Sequence, residues 1–123
     1  MIDHVSVAVR NLGAAARFYE SVLATLDIAK LEARPATVGF GKKYPEFWIN
    51  LRGNVSVLDG AHVCFRARTT EMIDAFHAAA LKAGGTSDGA PDLRPQHGEG
   101  YYAAFIRDLD GNRIEAVTFV GTK

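Results

Sequence analysis

Two histidines stand at matching places in a near-repeat of the chain. Laid over residues 59–83 without a gap, residues 1–25 bring Asp3-His4-Val5-Ser6-Val7 onto Ala61-His62-Val63-Cys64-Phe65. The same offset aligns Arg10 with Arg68, Phe18 with Phe76 and Leu23 with Leu81. Near the other end, Glu115 sits between Ile114 and Ala116 in an alternating run, an unusual setting for a carboxylate. Carboxylates are seldom buried unless paired or bound to a metal. Two imidazoles and one carboxylate are the donor set of a facial triad with open coordination positions. The bland alternative is an ion pair in which Glu115 holds Arg66 or a protonated histidine.

Those side chains need strands to carry them. Residues 2–9 read as a strand with His4, Ser6 and Ala8 on one face and Val5, Val7 and Val9 on the other. Asn11 offers a helix N-cap. After it, Leu12, Ala15, Ala16, Tyr19, Val22, Leu23 and Leu26 recur at helical spacing, and Phe18 and Tyr19 read as core. Three short strands are expected at 28–32, 37–40 and 47–51, and residues 54–60 read as a linker. The second copy opens with a strand over 61–68 that puts His62, Cys64 and Arg66 on one face. Thr69 or Thr70 caps a helix whose stripe is Met72, Ile73, Phe76, Ala80 and Leu81, and Gly84-Gly85 ends it. The Gly-, Pro- and Asp-rich residues 86–100 read as a long loop. Strands over 101–107 and 113–120 flank the turn Asp108-Leu109-Asp110-Gly111-Asn112, where Asp-Gly is a hairpin signal. The expected fold is α+β, two β-α-β-β-β modules (1–53 and 60–120) in one domain, with their sheets side by side. Helices burying the valine side leave both histidines on the opposite face.

Composition narrows the function classes. Fourteen basic and fourteen acidic residues cancel, so there is no electrostatic footprint for nucleic acid or an anionic membrane. No apolar run approaches the roughly 20 residues of a membrane span. The single cysteine, Cys64, cannot form an intrachain disulfide, and a reduced, cytoplasmic protein is the default. His77 reads as a helix residue, packed or solvated. His97 lies in the expected loop, placed to reach a pocket or to stand in solvent. Lys42 and Lys43 read as a solvated turn.

Taken together, Ile2-Asp3-His4-Val5-Ser6-Val7, Arg17-Phe18-Tyr19-Glu20, Ala61-His62-Val63-Cys64-Phe65 and Arg107-Asp108-Leu109-Asp110-Gly111-Asn112-Arg113-Ile114-Glu115 resemble the vicinal oxygen chelate superfamily of glyoxalases, bleomycin-resistance proteins and extradiol dioxygenases. The resemblance covers essentially the whole chain. It implies that the two modules form a half-open mixed sheet around a divalent metal (Zn, Ni, Mn, Fe or Mg) held by His4, His62 and Glu115, with a small substrate bearing vicinal oxygens and lyase- or dioxygenase-like chemistry. It also implies a homodimer, since small members complete the site from two protomers. Asn50 is expected opposite Glu115 in the repeat, where glyoxalase-I-like members carry a second glutamate. Asn50, Tyr101, Tyr102 and His97 are the substrate-handling candidates. The rival reading is a metal-free binder of the bleomycin-resistance kind.

Overall fold

The computed structural model describes residues 1–54 and 61–121. Its elements run β1 (Val5–Val9), α1 (Leu12–Ala24), β2 (Ala29–Arg34), β3 (Thr37–Gly41), β4 (Pro45–Leu51), β5 (His62–Arg66), α2 (Thr70–Lys82), β6 (Thr86–Leu93), β7 (Tyr101–Arg107) and β8 (Arg113–Phe119). They form two four-stranded mixed sheets with the same order, β1-β4-β3-β2 and β5-β8-β7-β6. The first strand of each module runs parallel to the last, and the other neighbours are antiparallel. The expected linker falls mostly on residues 55–60, outside the described residues.

Local chemistry explains the helices. Asn11 accepts a hydrogen bond from the Ala14 amide and starts α1; Thr69 does the same for the Met72 amide and starts α2. Each helix lays its apolar stripe on its own sheet, and α1 packs against α2. Val7, Val9, Phe40, Phe47 and Ile49 thus join Ile73, Phe76, Ile106 and Ile114 in a core shared by both modules. The Phe47 and Phe65 rings meet edge-on at 5.2 Å across the boundary. The repeat breaks at its end: Leu23 is buried but Leu81 is 43% exposed, so the α2 stripe is Ile73, Phe76 and Ala80 with Met72 half-buried beside them.

The turn after β7 does more than reverse the chain. Asp108 is buried and its carboxylate accepts from the Tyr19 hydroxyl, the Asp110 and Asn112 amides and Asn112 Nδ2. Asn112 Nδ2 also donates to the Ala8 carbonyl, and Asp110 accepts from Arg10 through both its amide and its Nε, each at 3.0 Å. A hairpin of the second module therefore clasps β1 and α1 of the first.

The long loop expected over 86–100 is corrected. Residues 86–93 form β6, and only a short 3-10 turn at Pro95–His97 and its flanks follow. Gly89 and Pro91 hide the strand from any alternation pattern. Both are tolerated because β6 is an edge strand whose pairing with β7 slips at two places, between Ser87 and Gly89 and between Gly89 and Asp92.

Candidate metal and substrate site

With the helices covering one face of each sheet, the other face carries the polar side chains. On β8, Ile114 and Ala116 turn into the core, and Glu115 turns to the open face directly opposite Cys64 on β5 and Phe105 on β7. The carboxylate is nonetheless 3% exposed, because its neighbours close over it. Oε1 lies 2.9 Å from His62 Nε2, and Oε2 accepts a hydrogen bond from the Tyr101 hydroxyl. Desolvation, together with that hydrogen bond, raises the Tyr101 phenol well above its ordinary range, so it stays a neutral donor. Desolvation and the adjacent Glu115 charge push the Cys64 thiol up to about 12, which removes it as a nucleophile.

Aromatic side chains wall this site. Phe105 stands 6.1 Å from the His62 ring and 6.5 Å from His97, and His97 stands 5.3 Å from Tyr101. His97 thus stands beside the Glu115 pair while its own side chain stays exposed to solvent. Tyr102, one residue along the same strand, points to the other face and donates to Asp74 on α2. His77 shares a 2.8 Å hydrogen bond with Ser87, tying α2 to β6.

His4 lies elsewhere. It precedes β1 and lines a cleft of about 560 Å³ on the open face of the first module, together with Ser6, Glu32, Arg34, Thr37, Tyr44, Trp48 and Asn50. Its Nδ1 is 2.7 Å from the Asp3 carboxylate, which also accepts from the Tyr44 hydroxyl. Those two hydrogen bonds, that from His4 the larger, hold the Asp3 carboxyl below its usual value. A carboxylate on Nδ1 leaves Nε2 outward, the arrangement that orients ligating histidines. Among the described residues, no three His, Cys, Asp or Glu side chains of one chain gather where a single ion would sit.

The register also revises the expected equivalence of Asn50 with Glu115. Cys64 pairs with Glu115, and its repeat counterpart Ser6 pairs with Trp48. Asn50 stands two residues further along, opposite Ala8 and bonded to the Thr37 hydroxyl. The first module thus has an indole where the second has its carboxylate. The Trp48 ring lies across Gly39, and Arg34 stacks on it at 5.1 Å. A Cβ on Gly39 would sit 2.8 Å from the ring. Gly39→Val should therefore displace Trp48, shift the emission of this only tryptophan and cost about 1–3 kcal/mol in urea unfolding. Unchanged emission would refute the packing.

His62 and Glu115 fit a divalent cation. With metal–ligand bonds near 2.0–2.2 Å, two donors on one ion lie roughly 3 Å apart, close to the observed contact. An imidazole and a carboxylate suit Zn, Mn, Fe or Ni, and open positions remain for other donors. Sequence reasoning missed Phe105, Arg94 and Trp48. Phe105 alternates onto the Glu115 face and was open to detection, whereas Trp48 needed the register.

The chain matches the profile of the glyoxalase/bleomycin resistance protein/dioxygenase superfamily over residues 1–116. No curated protein matches it. Among solved structures it is similar to a glyoxalase/bleomycin resistance protein from Albidiferax ferrireducens T118, with 33% identity, 94% of this chain and 95% of that one covered, and a TM-score of 0.80. A glyoxalase/bleomycin resistance protein/dioxygenase family enzyme from Burkholderia phytofirmans PsJN shares the fold at 20% identity, covering 97% and 98%, with a TM-score of 0.77. So does the fosfomycin resistance protein FosX from Listeria monocytogenes, at 14% identity, 93% and 88% coverage, and a TM-score of 0.70. With the paired modules, the His62–Glu115 contact and a profile match along nearly its whole length, the chain belongs to the glyoxalase/bleomycin resistance protein/dioxygenase superfamily.

Proposed function

We propose that this protein is a metal-dependent enzyme acting on a small substrate with vicinal oxygens. The supporting observation is the pairing of His62 Nε2 with a nearly inaccessible Glu115 carboxylate on an otherwise open face. The third ligand is His4, supplied by a second copy of the chain, since within one chain it lines a separate cleft. The protein is then a homodimer with two equivalent sites. A bound divalent ion supplies Lewis acidity to two adjacent substrate oxygens. The chain's own groups do the rest. Tyr101 holds one Glu115 oxygen and so fixes the other toward His62. Phe105 and His97 flank the pair and offer ring surface to the substrate. Asn50 and the Arg34–Trp48 stack, on the His4 cleft, contact the far part of the substrate. We place the protein in the cytoplasm; among the described residues no helix is long and apolar enough to cross a membrane.

One observation favours a metal-free binding protein instead. With Trp48 at the repeat counterpart of Glu115, His62 and Glu115 already satisfy each other as a pair. Elemental analysis of protein purified without chelator separates the two readings. Near-stoichiometric divalent metal in the wild type, lost in His62→Ala and in His4→Ala, is the expected result. Absence of metal from wild type even after incubation with Zn, Ni, Mn, Fe(II) and Mg overturns the enzyme reading.

A further inference from the structure

The open face of the β5–β8 sheet carries more positive charge than it neutralises. Arg113 and Arg107 both reach Asp88, at 3.2 and 4.0 Å. Arg94 and Arg66 have no carboxylate partner among the described residues. Each instead stacks on a ring of the site: Arg94 on Phe105 at 5.4 Å, Arg66 on Phe119 at 4.7 Å, and Phe119 in turn meets Tyr101 edge-on at 5.5 Å. Arg94 stands out. Its Nη2 donates to the Ala90 carbonyl, but its Nε is buried and has no hydrogen-bond partner, the one such side-chain atom among the described residues. Its backbone is fixed as well, because the Arg94 amide donates to the Tyr101 carbonyl at 2.6 Å.

A guanidinium held over an aromatic ring, with an N–H that no acceptor of the protein satisfies, suits a planar or tetrahedral oxyanion, which accepts from two donors of such a fork at once. The ring beneath Arg94 is the ring beside His62, so such an anion would lie next to the proposed metal ligands. We propose that the substrate carries an oxyanion, a carboxylate or a phosphonate, and that Arg94 is the residue that selects it, with Arg66 adding charge. The assignment rests on the β5–β8 open face being the substrate site, but it does not require the metal.

The test uses benzoate, phenylphosphonate and the neutral benzamide, each titrated into the full chain after EDTA dialysis and again after Mn(II) loading. Calorimetry should show binding of at least one acid and none of the amide. In the metal-free samples, the Arg94 Nε–H resonance should move downfield as its hydrogen bond forms. Arg94→Gln should weaken the acid at least ten-fold, and Arg94→Lys, which keeps the charge but loses the fork, should fall between. Preference for benzoate or for phenylphosphonate decides which oxyanion is meant. Equal binding of benzamide, an unmoved Nε–H or an unchanged affinity in Arg94→Gln each overturns the proposal. If the protein takes up no metal while the acids still shift Arg94, only the enzyme reading fails. If metal binds and no acid does, only the Arg94 assignment fails.

Discussion

Asp108→Ala should destabilise the protein by about 3–4 kcal/mol, since it leaves several buried or half-buried donors without an acceptor. The carboxylate serves four donors at once, and Tyr19, whose hydroxyl is one of them, is fully buried. Water cannot replace Asp108 there without opening the contact between α1 and the β7–β8 turn. For a domain whose total stability is about 5–15 kcal/mol, the loss amounts to a large fraction and corresponds to a fall in Tm of roughly 10 °C or more. Tyr19→Phe removes only one donor and leaves Asp108 three others, so it should cost about 1 kcal/mol. The double variant should cost less than the sum, because its buried hydroxyl is no longer orphaned. Urea unfolding of the four proteins completes the cycle. A Tm for Asp108→Ala within two or three degrees of wild type would show that the clasp does not hold the modules together.

The contrast between what was legible in the sequence and what was not follows from the range of the interactions. The helix caps at Asn11 and Thr69 act over three residues, so they are visible in the string. The alternation that turns His62 and Glu115 to one face is equally local. Residues 86–93 were not legible as β6, because an edge strand takes its bonds from β7 and tolerates the Gly89 and Pro91 that erase its own signal. The counterpart of Glu115 was hidden for another reason. A slip of two residues keeps every side chain on its face, so a period-two pattern cannot separate Trp48 from Asn50. Only the pairing of Ser6 with Trp48 does so. The clasp was invisible for a third reason: Asp108 and Asp110 are charged residues in a turn, where exposure is the ordinary expectation, yet both are buried against the first module.

Glu115→Gln should lower divalent-metal affinity by more than 100-fold while leaving a folded protein. Loss of an outer hydrogen-bond partner already costs a metal site about 10–100-fold, and a direct carboxylate ligand contributes more. The amide nearly preserves volume, so the packing between Cys64 and Phe105 is kept. It can still accept from the Tyr101 hydroxyl through its oxygen while presenting its NH2 to His62, which forces that imidazole to act as an acceptor. The same variant tells the metal site from a plain ion pair. If His62 and Glu115 are only a structural pair, Glu115→Gln lowers Tm and changes no ligand affinity, and His62→Ala behaves in the same way. If they are ligands, both variants lose metal, and the wild type gains Tm on metal addition in proportion to RT ln(1 + [M]/Kd), a gain that both variants lack. Thermal unfolding of the three proteins with and without Mn(II), Ni(II) or Zn(II) therefore reads stability and ligation in one experiment. An identical metal-induced rise in Tm for wild type and Glu115→Gln would remove Glu115 from the coordination sphere.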